Sequence, residues 1–305
     1  MSVNFADRLL AAINAKGSPV CVGLDPVYEK LPPVLRQGGD DAAARLAAIE
    51  GYCRMVLELV APYVPAVKPQ SAYFEIYGAA GVAVYEQAVR YAQKLGLIVI
   101  GDVKRNDIGS TAQAYAAGHL LAEGSADAVT VNGYLGEDGI APFVDAARQS
   151  GKGLFVLVRT SNPSAVTVQD IASPDGRKVY EHVAAMVARI GGGEGLQGGC
   201  GYSCVGAVVG ATYPQEAAAL REIMPQQIFL VPGYGAQGGT AKDCAASFKS
   251  DGTGAIVNAS RSVIFAYNDK KHAGKDWKQA VADGAREFAA DIASAVQNTT
   301  KARRH

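Results

Sequence analysis

The chain has 305 residues, of which 49% are hydrophobic and 19% charged, and its formal net charge is zero. This composition supports a sizeable buried core, and the neutral charge predicts no nucleic-acid or anionic-membrane partner. No run of about 18 apolar residues is present, so we expect no membrane-spanning helix. The N-terminal segment predicts an amphipathic helix rather than a signal peptide, and we therefore expect a cytoplasmic protein.

Eight short apolar runs, rich in β-branched residues, follow one another along the chain. They occupy residues 19–25, 66–70, 97–104, 128–133, 154–160, 204–212, 228–235 and 255–261. Most are nearly continuous hydrophobic runs rather than alternations of apolar and polar residues. Such runs are typical of parallel strands that are buried on both faces.

Helical patterns lie between these runs. The clearest extend over 40–62, 80–94, 138–149, 214–224 and 276–296, and another helix is expected near 178–190. Within 40–62, apolar residues recur at three- and four-residue steps and form one helix face. These residues are Leu46, Ile49, Cys53, Val56, Leu57 and Val60.

The alternation of strands and helices predicts an α/β fold. Eight β/α units are typical of a closed (β/α)8 TIM barrel, and an open doubly wound sheet is the alternative. We expect a single domain over residues 1–305, with an N-terminal helix and an insertion at about 161–203. The glycine-rich end of this insertion neither follows a strand directly nor leads into a phosphate-binding helix, which predicts a flexible connection.

No cofactor or metal site is predicted. The five cysteines are odd in number and thinly spread, which argues against a disulfide framework. Cys200 and Cys204 have C-x3-C spacing, but no second Cys or His pair follows to complete a set of metal ligands.

Polar residues follow the predicted strands where each strand ends. In a barrel these carboxyl ends and the loops after them build the active site. The polar ends are Asp25, Lys68, Asp102 with Lys104, Asn132, Arg159 to Ser161, the loop 232–239, and Ser260 with Arg261.

The most informative segment is DVKRND at residues 102–107. Asp102 and Lys104 are two residues apart on an extended strand, so both face the same side, and Asp107 lies in the loop that enters the next helix. An ammonium group flanked by two carboxylates stays protonated. Lys104 is therefore a poor nucleophile for Schiff-base chemistry and a good proton donor beside developing negative charge.

A phosphate site is predicted after the last two strands. The PGYGAQGG loop at 232–239 follows strand 7, and its glycines allow the backbone to approach an anion closely. Ser260 and Arg261 follow strand 8, where Arg261 offers a forked, permanently charged group. Barrels frequently bind phosphate at these two loops.

These motifs match those of a known family. The D-x-K-x-x-D array at 102–107 resembles the signature of orotidine 5′-phosphate decarboxylases, and the wider run GDVKRNDIGST is similar to the longer bacterial branch. CVGLDP at 21–26, VKPQSAYFE at 67–75, RTSNPSA at 159–165 and PGYGAQGG at 232–239 resemble that branch as well. The matches run in order along most of the chain and fall on strand ends.

The resemblance implies a catalytic set. Lys104 would protonate C6 of the pyrimidine of orotidine 5′-phosphate as carbon dioxide leaves, and Asp102 would sit against the substrate carboxylate. Asp107 and Thr111 would reach the active site of the partner subunit, because these enzymes resemble homodimers with shared sites. No cofactor would take part.

The resemblance also implies a substrate-binding set. Asp25 and Lys68 would hold ribose hydroxyls, and Ser161 would hydrogen-bond the pyrimidine ring. Gln237 would link base and phosphate, and Arg261 would grip the phosphate.

Two alternatives stay open at this point. A metal-dependent decarboxylase of the same superfamily, acting on a 3-keto sugar phosphate, looks similar in the D-x-K-x-x-D array. A non-catalytic nucleotide-binding barrel would bind nucleotides tightly without turnover. The intact Lys104 with both flanking aspartates favours an enzyme.

Overall fold

Eight parallel strands close into a barrel in their order along the chain. The computed structural model describes residues 3–235 and 238–302. Each strand pairs with the next, and β1 also pairs with β8, which closes the sheet. The closed barrel confirms the predicted fold class over the open doubly wound sheet. The strands are β1 (Val20–Leu24), β2 (Ala66–Pro69), β3 (Ile98–Arg105), β4 (Ala128–Asn132), β5 (Gly153–Arg159), β6 (Ser203–Val209), β7 (Gln227–Val231) and β8 (Ala255–Ala259).

Helices surround the barrel and include every helix expected from the sequence. The helices are α1 (Phe5–Lys16), α2 (Ala42–Val60), α3 (Ala72–Glu75), α4 (Gly78–Lys94), α5 (Gly109–Ala116), α6 (Glu137–Ser150), α7 (Val166–Gln169), α8 (Val179–Gly191), α9 (Pro214–Ile223), α10 (Ala241–Ala245), α11 (Arg261–Ile264) and α12 (Trp277–Ala302). A π-helical turn, Ala117–Leu121, continues α5. All six apolar residues predicted for the inner face of α2 are buried. Helix α12 extends past the predicted end at residue 296.

The core lies inside the barrel and between the barrel and its helices. Every position of β1, β6, β7 and β8 is buried, as expected of parallel strands covered on both faces. Helix α1 packs near the amino-terminal end of the barrel, where the Phe5 ring meets Phe155 edge-on. A Cβ on Gly153 would lie 2.2 Å from Cδ1 of Phe5, so only glycine permits this close approach.

The glycine-rich end of the insertion is tied to α1. Asp7 accepts hydrogen bonds from the backbone amides of Gly199 (3.0 Å) and Cys200 (2.7 Å). The sequence predicted a flexible connection here, which stays a prediction; in the structure a carboxylate from a distant helix accepts hydrogen bonds from two of the loop amides. In the described part of the chain, no helix is both long and apolar enough to cross a bilayer.

Candidate active site

A cavity of about 480 Å³ opens at the carboxyl ends of the strands. Its lining comes from the ends of β1 to β8 and the loops that follow them. The structure therefore brings together most of the predicted site residues. Those lining the cavity are Asp25, Lys68, Asp102, Lys104, Ser161, Ser260 and Arg261.

At the centre of the cavity, Asp102 on β3 accepts hydrogen bonds on both carboxylate oxygens. The Nζ atoms of Lys68 and Lys104 each lie 2.5 Å from it, one at Oδ2 and the other at Oδ1. Thr130 Oγ1 donates to Oδ1 at 2.9 Å, and Gln70 Nε2 donates to Oδ2 at 3.1 Å. All four neighbours are donors, so the site is organised around a carboxylate.

Electrostatics fix the charge states of this cluster. Burial alone would raise the pKa of Asp102, but Lys68 and Lys104 hold it well below its ordinary value of 3.8. Burial would likewise lower the pKa of Lys68, but Asp102 and Asp25 raise it above its ordinary value. Asp102 is thus ionised at neutral pH, and Lys68 carries its charge although only 6% of the residue is exposed.

Lys104 has an unusual backbone conformation. Among the described residues it is the one non-glycine residue with positive φ, at 45°. The pairing of β3 with β4 shifts register between Gly101 and Arg105, and the Lys104 amide donates to Thr130 Oγ1 at 3.0 Å. Strained backbone of this kind clusters at functional sites. It leaves the Lys104 side chain 46% exposed while its ammonium contacts buried Asp102.

Several residues that line the cavity carry a buried polar atom without a partner. Asp25 Oδ1, Asn258 Oδ1 and Ser260 Oγ make no hydrogen bond to any described residue. Buried polar groups are usually satisfied, so unpaired oxygens on residues that line a cavity favour a polar ligand at the ends of β1 and β8.

The loop after β7 and the start of α11 form the other side of the cavity. Gly233 (φ 109°) and Gly235 (φ 68°) adopt left-handed conformations that favour glycine. Tyr234 fixes the loop to α12, because its hydroxyl donates to Asp291 at 2.7 Å. Arg261 is exposed at the cavity rim. Gln237, predicted to bind substrate, lies outside the described residues.

Two predicted site residues do not line this cavity. Asp107 is half-buried, and its Oδ1 accepts from the Ile108 amide at 2.8 Å. Thr111 is exposed on α5. Both lie beyond the end of β3, as their sequence positions predicted, and the cavity of one chain is built without them.

Arg159 and Asn132 also differ from the expectation that polar strand ends face the mouth. Arg159 is fully buried against Glu216 on α9 (Nε to Oε2, 2.6 Å). Asn132 Oδ1 accepts from the Tyr134 amide at 3.0 Å. Neither side chain lines the cavity, because tertiary partners outside the barrel hold Arg159 and a local turn holds Asn132.

The cavity contains polar residues to which the sequence analysis assigned no individual role. Thr130 lies inside a strand, and Gln70 and Tyr73 follow β2 within the motif VKPQSAYFE. The offset from Lys68 to Gln70 could have indicated Gln70, since residues two apart share a face. The additional polar lining residues are Gln70, Tyr73, Thr130, Thr160, Asn162, Tyr234 and Asn258.

Fold and site together define a (β/α)8-barrel enzyme in which two ammonium groups share one buried carboxylate beneath an open pocket. Among the described residues, no three His, Cys, Asp or Glu side chains are grouped to hold a metal ion. The Orotidine 5′-phosphate decarboxylase / HUMPS family model matches residues 18–276, and the chain belongs to this family.

Individual relatives agree with the family match. An orotidine 5′-phosphate decarboxylase of Rhodopirellula baltica is 44% identical, with 92% of this chain and 95% of the relative covered. The enzyme of that name from Deinococcus radiodurans is 43% identical over 87% of this chain and 91% of its own length. Among solved structures, the OMP decarboxylase of Leishmania donovani is 32% identical, with a TM-score of 0.75, and covers 97% of this chain and 100% of its own.

Proposed function

We propose that this protein converts orotidine 5′-phosphate to uridine 5′-phosphate and carbon dioxide, a step of de novo pyrimidine biosynthesis, without a cofactor. The observation that carries the proposal is the Lys68–Asp102–Lys104 cluster under an open polar pocket. The family model is named for two groups, the orotidine 5′-phosphate decarboxylases and the HUMPS proteins. The choice between them rests on relatives that match most of this chain and are named orotidine 5′-phosphate decarboxylase.

The chemistry needs a proton donor beside a developing carbanion. When the bond between C6 and the substrate carboxylate breaks, its electron pair stays on C6, and carbon dioxide leaves. Lys104 then donates a proton from its ammonium group to C6. A preorganised positive charge stabilises the developing negative charge without reorganisation during the reaction. Asp102 lies against the substrate carboxylate and keeps the ammonium of Lys104 in place.

Substrate binding uses the rest of the pocket. Asp25, with its unpaired buried oxygen, and Lys68 bind ribose hydroxyls. Ser161 hydrogen-bonds the pyrimidine, and Gln237 links base and phosphate. Arg261, together with Ser260 and the loop after β7, binds the phosphate through charge-assisted hydrogen bonds. Binding of the phosphate, which is distant from the reacting carbon, contributes to transition-state stabilisation at the ring.

The active form is a homodimer with shared active sites. Asp107 and Thr111 lie outside the pocket of their own chain and complete the pocket of the partner subunit. Large apolar side chains near them support an interface: Ile108 is 55% exposed, Tyr134 78% and Leu135 42%. Exposed apolar side chains in one region are typical of protein interfaces. In an isologous dimer the exchange of Asp107 is reciprocal.

The protein works in the cytoplasm, with a nucleotide substrate and no nucleic-acid partner. All five cysteines are free, which is the usual state in a reducing compartment.

Direct assay with orotidine 5′-phosphate tests the proposal. Pyrimidine absorbance is followed with purified protein, before and after exhaustive chelation. We expect turnover that chelation leaves unchanged. Activity on a 3-keto sugar phosphate that chelation abolishes and added Mg²⁺ restores would instead identify the metal-dependent enzyme. Tight uridine 5′-phosphate binding without turnover would identify a non-catalytic barrel.

A further inference from the structure

The side chain of Gln169, which belongs to the insertion, forms hydrogen bonds with a residue that lines the pocket. Gln169, the last residue of α7, contacts Thr160, which lines the cavity just after β5. Gln169 Oε1 accepts from the Thr160 amide at 3.1 Å, and its Nε2 donates to Thr160 Oγ1 at 2.7 Å. The Thr160 hydroxyl in turn donates to Asn162 Oδ1 at 2.6 Å. One carboxamide thus fixes the direction in which the Thr160 hydroxyl points.

Ion pairs anchor the position of Gln169 relative to the barrel. The next residue, Asp170, pairs with the fully buried Arg159 (Nη1 to Oδ1, 2.8 Å), which also pairs with Glu216 at 2.6 Å. The Arg159 guanidinium lies 4.1 Å from the centre of the Tyr213 ring. Helix α7 has no buried residue, so this polar network rather than apolar packing holds it near the pocket.

Ser161 is confined between this network and strand β6. A Cβ on Gly210, the residue after β6, would lie 3.1 Å from the Cβ of Ser161, so the two segments pack closely. The Gly210 amide also donates to the carbonyl of Arg159 at 2.8 Å. Movement of Ser161 toward β6 is blocked, and the contact between Gln169 and Thr160 limits movement of the same loop on the α7 side.

We infer that Gln169 is a positioning residue for recognition of the pyrimidine ring. It holds Thr160 so that Ser161 and Asn162 present their polar groups to the base. The inference rests on the proposed function, in which Ser161 contacts the ring. This role of Gln169 involves the insertion in base recognition and is separate from phosphate binding by Arg261. Ligands with a pyrimidine therefore depend on Gln169, and ligands with only a ribose phosphate do not.

Gln169→Ala tests the inference through two ligands. Calorimetry measures the affinity for uridine 5′-phosphate and for ribose 5-phosphate. We expect uridine 5′-phosphate to bind about tenfold more weakly, on the scale of lost hydrogen bonds, and ribose 5-phosphate to stay within about twofold of wild type. Gln197→Ala is the matched control: Gln197 lies in the same insertion and donates to Gln226 at 2.9 Å, and both ligands should bind this variant as they bind wild type.

A double-mutant cycle with Thr160→Val distinguishes positioning from a general structural role. Because Gln169 acts through Thr160, the double variant should lose no more uridine 5′-phosphate affinity than the more impaired single variant. Additive losses, or equal weakening of both ligands, would overturn the inference. If Gln169→Ala does not fold, Thr160→Val alone must still weaken uridine 5′-phosphate selectively, and unchanged binding overturns the inference.

Wild-type turnover of orotidine 5′-phosphate is measured first. An inactive wild type overturns the proposed function and the inference with it. An active wild type whose ligand affinities are unaltered by Gln169→Ala overturns the positioning role alone.

Discussion

Replacing Asp102 with asparagine exchanges one carboxylate oxygen for an NH2 group at the centre of the site. Lys68 and Gln70 donate to one oxygen, and Lys104 and Thr130 donate to the other. Whichever way the amide turns, its NH2 meets at least one ammonium group. The substitution is isosteric, yet the new NH2 group, itself a hydrogen-bond donor, faces an ammonium donor. The substitution also removes the negative charge that balances the charges of Lys68 and Lys104.

The magnitude follows from the burial of Lys68. Removing one partner of a buried ion pair costs about 3–5 kcal/mol, because the other charge is left buried and unpaired. Asp25 still contributes to keeping Lys68 charged, so we expect the lower end, about 3 kcal/mol less unfolding free energy at pH 7. The lowered pKa of Asp102 gives this cost a pH dependence. Its contribution is present above pH 3.8 and is lost as the pH falls through the native-state pKa.

Urea unfolding at pH 7 and at several pH values below 4 measures the difference between wild type and Asp102→Asn. The difference in unfolding free energy should have its full value at pH 7 and become smaller in acid. Asp107→Asn is the matched control: its one side-chain hydrogen bond within the described chain is accepted from a backbone amide, which asparagine can also accept, so its stability should change little. A loss below about 1 kcal/mol at pH 7 would refute the reasoning, as would a loss that is independent of pH.

Three further predictions concern activity. Lys104→Ala should lower turnover at least about a thousandfold while uridine 5′-phosphate still binds, and near-normal turnover would contradict its role as proton donor. Arg261→Ala should cost roughly 2–4 kcal/mol in kcat/KM for the phosphorylated substrate and little for the unphosphorylated nucleoside, and equal losses on both would rule out the phosphate contact. Refolding an equal mixture of Lys104→Ala and Asp107→Ala chains should restore about a quarter of wild-type activity, because random pairing gives half hybrid dimers with one intact site each. A mixture that stays inactive although hybrids form would disprove the shared site.

Local patterns in the sequence predicted most of the secondary-structure elements of the fold. Continuous apolar runs such as 154–160 predicted β5 (Gly153–Arg159), because a strand covered on both faces needs hydrophobic residues at every position. The three- and four-residue steps in 40–62 predicted the buried face of α2, because that spacing follows from the helical period. The division of the chain into one domain stays a prediction.

Tertiary contacts determined which strand-end residues line the pocket. Arg159 is the last residue of β5 and Ser161 follows two residues later, but only Ser161 lines the pocket, because Arg159 pairs with a carboxylate on α9. The positive φ of Lys104 departs from the regular strand assumed for residues 102–104, since a register shift between β3 and β4 reshapes that strand end.

The sequence by itself determined the order of strands and helices and the polar residues at the strand ends, because both depend on periodicity and short-range spacing. Only the tertiary structure decided which polar groups meet. Gln169 reaches Thr160 and Lys68 reaches Asp102 through contacts between separate elements, and no local period encodes such contacts. Their distances follow from the closure of the barrel, which places the carboxyl ends of all eight strands around one cavity.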